Sequence, residues 1–279
     1  MTYKSLFSAL TDEALVDEVL DHAVAMAAAS DAHLDVLCLG VDRSQTGYYY
    51  AGASAVVLQE TLNRAKEDAE AIETRVRARL KDETILWSVD SGIAQLADVG
   101  RHVAGRARYS DLAILARPYG EGRGVELEPV TESTLFEGST PALVVGPGMA
   151  PNPRPARVLV GWNESIEALT AVRAALPLIA AARAVHVVVI DPPTHGPSRS
   201  DPGGMLSQYL ARHGARVEVD VLSRTLPRVS DILMRHATEI GAELIVMGAY
   251  GHSRFREAIF GGATRNMLEN AALPVLMAH

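Results

Sequence analysis

The chain has 279 residues, about twice the usual size of a single domain, so two domains are expected. With 48% hydrophobic and 22% charged residues, its composition excludes a mostly disordered or fibrous protein. The net charge of -8 argues against a protein that binds a nucleic-acid backbone. The single cysteine, Cys38, excludes both an intramolecular disulfide and a cysteine-built metal site.

No segment of the sequence has the length and apolar character of a membrane helix, because Arg183 interrupts the Ala-rich stretch after Pro177. Met1–Lys4 leads straight into a predicted strand, without the pattern of a signal peptide. We therefore expect a soluble, cytoplasmic protein with neither a membrane nor a nucleic-acid partner. The histidines show no H-x-x-x-H or comparable spacing, so no metal site is predicted.

Four prolines between Gly146 and Ala156 indicate an extended linker. The sequences on its two sides match in order, pairing residues 4–8 with 157–161, 111–116 with 243–248, and 141–144 with 274–277. The offset falls from 153 to 132 residues, so the first copy has an insertion, which we assign to the Tyr48–Tyr50 loop and the following helix. The pattern predicts a tandem duplication with domains at 1–147 and 156–279.

Each copy reads as alternating strands and helices. In the second copy the predicted strands are Val158–Gly161, Val185–Ile190, Arg216–Leu222, Leu244–Met247 and Val275–Met277. The predicted helices are Glu164–Ala182, Met205–Arg212, Val229–Ile240 and Gly262–Asn270. Unbroken β-branched runs are typical of strands buried on both faces, so the fold class is α/β. Each domain is predicted to be an open five-stranded parallel sheet with helices on both faces, and its ligand to lie beyond the carboxyl ends of the strands.

A glycine motif follows the fourth strand of the second copy. Gly248, Gly251 and Gly261 have the spacing G-x2-G-x9-G between a predicted strand and a predicted helix. Glycines at the end of a strand let the backbone approach an anion closely. The N–H groups of Gly261, Gly262 and Ala263 at the helix start would point at that anion. The pattern predicts phosphate binding, and the alternative is that these glycines only form a tight crossover.

Two copies of this pattern, with the glycine motif and a Pro-Val-Leu final strand, resemble a tandem universal stress protein over essentially the whole chain. In nucleotide-binding members the motif holds the phosphates and ribose of ATP, while an Asp after the first strand and a residue near the end of the second contact adenine. The resemblance implies two Rossmann-like domains of the HUP (adenine nucleotide alpha hydrolase-like) type. It also implies a nucleotide site in the second copy formed by Gly161, Trp162, Asn163, Val189, Met247, Gly248, Gly251, Gly261, Gly262, Ala263 and Thr264.

This sequence departs from the family pattern at two positions of that site. Gly262 stands where the family has Ser or Thr, and a hydroxyl follows only at Thr264. The loss of one hydroxyl donor costs on the order of 1 kcal/mol of binding free energy. Asn163 replaces the adenine-side Asp, so the side chain keeps an acceptor oxygen, gains a donor and loses its charge.

The first copy lacks the glycine motif. At the positions of the three glycines it has Ala116, Tyr119 and Glu128, and Pro129 supplies no N–H. Leu10 stands at the position of the adenine-side Asp. A carboxylate in place of a phosphate site is repulsive, so we predict that the first copy does not bind ATP in the family manner.

The leading hypothesis is a stress-response regulatory protein that binds ATP or a related adenine nucleotide, with or without Mg²⁺, in its second domain. The open alternative is a nucleotide-independent scaffold that acts through an unknown protein partner. No catalytic residue is predicted, because the sequence has no nucleophile elbow and no paired carboxylates. Slow ATP hydrolysis is the highest activity that we expect. The last strands of the two copies are Pro141–Val145 and Pro274–Met277. We expect them to pair within the chain, so that the two copies form a pseudo-dimer. Association of two chains into a homodimer stays an open alternative.

Overall fold

The structure is a computed structural model, which describes residues 2–43, 55–192, 201–250 and 262–279. It divides into two compact units, Tyr3–Thr140 and Pro141–His279. The first unit contains the strands β1 (Ser5–Leu10), β2 (His33–Asp42), β3 (Leu86–Gln95) and β4 (Leu112–Ala116) and the helices α1 (Val16–Ser30), α2 (Ala55–Leu80), α3 (Val99–Ala107) and α4 (Leu127–Leu135). The domain limits 1–147 and 156–279 stay a prediction.

The second unit begins with β5 (Ala142–Val145) and continues with β6 (Arg157–Gly161), β7 (Ala184–Ile190), β8 (Val217–Leu222), β9 (Leu244–Gly248) and β10 (Val275–Ala278). Its helices are α5 (Ile166–Ala174), α6 (Leu176–Ala181), α7 (Gly204–Arg212), α8 (Val229–Ile240) and α9 (Ala263–Asn270). In the part of the chain that the structure describes, no helix is both long and apolar enough to cross a membrane.

The four strands of Tyr3–Thr140 form a parallel sheet in the order β3-β2-β1-β4. The central strand β1 is buried from Leu6 to Leu10, as expected of a strand covered on both faces. Helix α2 lies against β2 and β3. At Gly40 of β2 the two backbones are so close that a Cβ atom would overlap the carbonyl oxygen of Ala65.

In Pro141–His279 the strand order is β5-β10-β9-β6-β7-β8. Strands β6 to β10 are all parallel, which confirms the α/β class and the mostly parallel sheet. Strand β5 runs antiparallel to β10, with Val144 opposite Val275, so the pairing predicted for the two closing strands is observed. Because of this pairing, β5 lies in the second compact unit, although the sequence analysis assigned it to the first domain.

One predicted helix of the second unit is wrong. The segment expected as a single helix, Glu164–Ala182, forms the two helices α5 and α6 with a break at Ala175. Pro177 lies in the first turn of α6. Because proline has no backbone N–H and its ring clashes with the preceding turn, it starts a new helix and does not continue the old one.

We expect Gly40→Ala to lower the free energy of unfolding by roughly 1–3 kcal/mol, because the added methyl group pushes α2 away from β2. The matched control is Gly105→Ala in α3, where a Cβ atom would meet nothing within 4 Å. That change should raise stability by roughly 0.5–1 kcal/mol, since alanine loses less conformational entropy in a helix. Urea denaturation followed by Trp87 fluorescence measures both variants, in a Trp162→Phe background because the chain has two tryptophans. An unchanged stability of Gly40→Ala would contradict the close contact.

Candidate functional site

A cavity of about 300 Å³ lies at the carboxyl ends of β6, β7 and β9, beside the starts of α8 and α9. The strand order reverses between β6 and β9, which is where ligands of open parallel α/β sheets bind. Its volume is at the lower end of the range for small-molecule sites. The lining residues are Gly161, Trp162, Asn163, Val188, Ile190, Val229, Leu233, Met247, Gly248, Ala263 and Thr264.

The floor of the cavity is apolar because of the strand register. Gly161 of β6 is paired with Val188 of β7 and with Met247 of β9, so these residues share one face of the sheet. Leu233 of α8 covers that face, and a Cβ atom on Gly161 would lie 3.3 Å from its Cδ1 atom. The glycine therefore leaves space between the sheet and α8, bounded mostly by hydrocarbon.

Gly248 has a packing role at the opposite face of the sheet. A Cβ atom here would lie 2.5 Å from the backbone nitrogen of Ala168 and 2.8 Å from the carbonyl carbon of Glu167, both in the first turn of α5. Only glycine allows the helix backbone to approach the strand this closely. The structure therefore supports the crossover interpretation of this glycine, and a ligand is not needed to explain it.

The loop between β6 and α5 forms one rim of the cavity. The backbone N–H of Trp162 donates to the carbonyl oxygen of Val188 at 2.9 Å, which continues the strand pairing. Asn163 Oδ1 accepts a hydrogen bond from the N–H of Ser165 at 3.2 Å, and the Ser165 hydroxyl caps α5 by accepting from Ala168 N–H at 3.1 Å. Since the Asn163 oxygen faces its own loop, its amide NH₂ is the group left to contact a ligand.

The start of α9 forms the opposite rim. Thr264 is only 2% exposed, and its hydroxyl oxygen accepts a hydrogen bond from the N–H of Tyr250 at 3.0 Å, which ties the chain after β9 to α9. Gly262 precedes the helix and accepts from the backbone and side-chain nitrogens of Asn266, both at 3.1 Å. The first N–H groups of a helix have no partner within it and carry partial positive charge, so this rim favours an anion.

Seven residues that the sequence predicted for the site line this one cavity: Gly161, Trp162, Asn163, Met247, Gly248, Ala263 and Thr264. Gly262 is the residue that precedes α9 and is not among the lining residues. Gly251 and Gly261 lie outside the described residues.

The choice of Val189 is not supported, because its neighbours Val188 and Ile190 line the cavity instead. Alternate side chains of a strand point to opposite faces, and a Cβ atom on Gly203, before α7, would lie 3.4 Å from Val189. Sequence reasoning also missed Val229 and Leu233 of α8. Val229 and Leu233 are four residues apart, so the sequence places them on the same face of an amphipathic helix. This spacing does not distinguish a side chain that lines a cavity from one in the packed core.

In Tyr3–Thr140 the corresponding loops are joined by an ion pair between a buried carboxylate and a partly exposed arginine. The Glu126 side chain, 1% exposed, precedes α4, and it accepts hydrogen bonds from Arg43 Nη2 at 2.6 Å and from Arg43 Nε at 3.1 Å. Thr11, after β1, donates its hydroxyl to the same carboxylate at 3.2 Å. Burial raises the pKa of this carboxyl, but the hydrogen bonds and charge of Arg43, together with hydrogen bonds from the Glu126 backbone and Thr11, outweigh burial and hold the pKa below its ordinary value.

The carboxylate that the sequence singled out in this unit has a smaller role. Glu128 accepts a hydrogen bond from the hydroxyl of Tyr119 at 2.8 Å, so two of the residues that replace the glycines bind each other. The residue that sequence reasoning missed is Glu126, which precedes the motif position and becomes conspicuous only through its contact with Arg43.

Comparisons with known proteins agree with this architecture. Residues 156–279 match the sequence profile of the universal stress protein family. A universal stress protein of Synechocystis sp. (strain PCC 6803) is 27% identical to this chain over 92 residues. That match covers 33% of this chain and 31% of the relative, so the chain spans about a third of the length of the curated relative.

Solved structures share the fold over most of the chain. A universal stress protein from Archaeoglobus fulgidus DSM 4304 has a TM-score of 0.70 at 16% identity, covering 98% of this chain and 95% of its own. A protein from Pseudomonas aeruginosa UCBPP-PA14 that is classed with the universal stress proteins has a TM-score of 0.59 at 15% identity, covering 99% and 93%. At these identities the likeness shows the fold alone.

We expect the ion pair between Glu126 and Arg43 to make the stability of the first unit depend on pH. We expect Glu126→Gln to lower the free energy of unfolding at pH 7 by about 1–3 kcal/mol, because Arg43 loses a charged partner. The folded-state pKa of Glu126 lies below its unfolded value, so its stabilisation is complete at neutral pH and is lost as the pH falls through the folded pKa. The gap between wild type and variant should therefore narrow below about pH 4.

Urea denaturation at several pH values measures this gap. Glu128→Gln is the matched control, because glutamine can still accept the hydrogen bond from Tyr119, and its effect should stay below about 1 kcal/mol at every pH. Equal effects of the two substitutions would contradict the role assigned to Glu126.

Proposed function

We propose that residues 156–279, which match the universal stress protein family, bind ATP or a related adenine nucleotide in the cavity between β6 and β9. One observation carries the proposal. The cavity at the strand-order reversal is lined by residues that were selected for a nucleotide site from the sequence alone. Two of them, Gly161 and Thr264, are far apart in the sequence and line the same cavity.

The base would occupy the apolar floor. A purine presents flat apolar faces, and the side chains of Val188, Leu233 and Met247 provide hydrocarbon for it to contact. The amide NH₂ of Asn163 would donate to a ring nitrogen, because the Oδ1 atom of this residue already accepts from Ser165. The replacement of Asp by Asn therefore changes the polarity of this contact without removing it.

The phosphates would lie at the start of α9. Ala263 and Thr264 both line the cavity, and the free N–H groups of a helix start bind anions. The oxygen of Thr264 already accepts from Tyr250, but its hydroxyl proton is still able to donate to a phosphate. Each hydrogen bond to a charged group contributes roughly 1.5–3 kcal/mol, so a few of them suffice to orient a phosphate chain.

We expect binding without efficient catalysis. Neither a carboxylate nor a histidine is among the described residues that line the cavity, so a base to activate water is not found there. In the first unit, the charge of Arg43 is already paired with Glu126, and the Glu126 carboxylate would repel a phosphate placed beside it. The proposal is therefore one nucleotide per chain, bound as a regulatory signal in the response to stress.

We expect Ala263→Glu to weaken binding of a nonhydrolysable ATP analogue at least tenfold, about 1.4 kcal/mol, because its carboxylate repels the phosphates. The same substitution should not destabilise the free protein, since an acidic residue is favourable in the first turn of a helix. Binding is measured by Trp162 fluorescence in a Trp87→Phe background, because the chain has two tryptophans and Trp162 lines the cavity.

Met205→Glu is the matched control, since it introduces the same charge near the start of α7 at a side chain that is 85% exposed and does not line the cavity. It should bind the analogue like the wild type. Isothermal titration should find one site per chain. A wild type that binds no analogue at millimolar concentration would favour the scaffold alternative, and a stoichiometry of two would contradict the assignment of the first unit.

A further inference from the structure

Three metal-ligating side chains meet beside the cavity floor. His186 of β7, Asp220 of β8 and His236 of α8 place one potential ligand atom each within 4.8 Å of one another. Asp220 Oδ2 lies 2.9 Å from His186 Nδ1 and 2.8 Å from His236 Nε2. The three side chains are 11%, 24% and 12% exposed, so the cluster is mostly enclosed but has an open side.

The pairing of β7 with β8 and the position of α8 bring these three side chains together. In the β7–β8 pairing Glu218 stands opposite His186 and Asp220 stands opposite Val188, so the carboxylate lies on the same sheet face as the imidazole. Helix α8 crosses that face, and His236 follows Leu233 by three residues, on the same side of the helix. No sequence motif joins the three residues, which explains why histidine spacing predicted no metal site.

The donor set and its size suit a transition metal. Two imidazole nitrogens and a carboxylate oxygen are typical ligands of Zn²⁺ and related divalent ions. Ligand atoms bound to one Zn²⁺ at about 2.0–2.2 Å lie roughly 3.3–3.5 Å apart. The distances of 2.9 and 2.8 Å from Asp220 Oδ2 to His186 Nδ1 and His236 Nε2 therefore have to lengthen by only about half an ångström for all three atoms to bind one ion.

The surroundings supply a second shell. Glu239 Oε2 is 3.5 Å from Nδ1 of His236, the ring nitrogen that does not face Asp220. A metal-ligating histidine usually donates its other ring N–H to a carboxylate, which orients the ring and selects the tautomer. Glu218, whose side chain is 70% exposed, has Oε2 at 3.9 Å from His186 Nδ1 and is within reach of the open side as a further ligand.

We infer that His186, Asp220 and His236 form a binding site for one divalent transition-metal ion, best matched by Zn²⁺. The metal would join α8 to β7 and β8 beside Val188 and Leu233 of the cavity floor, on the same face of the sheet. Its role is therefore to hold the wall of the cavity in place. The assignment of this site does not rest on the proposed nucleotide binding, because none of its three ligands lines that cavity.

The test uses the full chain without an affinity tag, freed of metal by a chelator and titrated with Zn²⁺. We expect one tightly bound Zn²⁺ per chain and a rise in Tm on binding, because a ligand of the folded state stabilises it. His186→Gln, His236→Gln and Asp220→Asn should each weaken Zn²⁺ binding at least tenfold and abolish the rise in Tm. Co²⁺ in the wild type should show the visible absorption bands of a nitrogen- and oxygen-ligated site.

His213→Gln is the matched control, since His213 is an exposed histidine of the same unit that contacts Tyr209 and lies outside the cluster. It should bind Zn²⁺ like the wild type. Thermal unfolding of each metal-free variant establishes that it is folded before titration. The inference is overturned if the wild type binds no Zn²⁺, or if the folded cluster variants bind it as tightly as His213→Gln does.

Discussion

The candidate site depends on the contact between Gly248 and the first turn of α5. A Cβ atom at this position would lie 2.5 Å from the Ala168 nitrogen, so helix and strand meet backbone to backbone. Because α5 begins this close to β9, the preceding loop has to cross the ends of β6 and β9. That crossing brings Trp162 and Asn163 to the rim of the cavity, opposite Ala263 of α9. The close packing at Gly248 therefore positions this rim, while Gly161 leaves the space between the sheet and α8.

The two units differ in structure at the loops that follow their first strands and precede their last helices. In Pro141–His279 the space between sheet and helix is left open, with hydrocarbon on its floor and the start of α9 at its rim. In Tyr3–Thr140 the buried carboxylate of Glu126 joins Thr11 to Arg43. A buried carboxylate needs such partners, because an unpaired charge in that position is strongly destabilising. One unit thus has an ion pair at a place where the other has an open cavity.

The sequence predicted the strands of the second unit well because unbroken apolar runs such as the one ending at Ile190 have few alternatives to a buried strand. It could not predict register. Consecutive valines in β7 show no alternation, so pairing with Gly161, and not the local sequence, decides that Val188 and not Val189 faces the cavity. The same limit hid the cluster of His186 and Asp220, whose contact exists only through the β7–β8 pairing.

The central claim is that the second unit alone holds an adenine nucleotide, between the loop after β6 and the start of α9. Hydrogen–deuterium exchange of the full chain, with and without a nonhydrolysable ATP analogue, tests it most directly, because binding slows exchange where amides contact the ligand. The account predicts slower exchange at residues 161–165 and 262–266 and unchanged exchange around Thr11 and Glu126. Protection around Thr11 and Glu126, or none in the second unit, would contradict it.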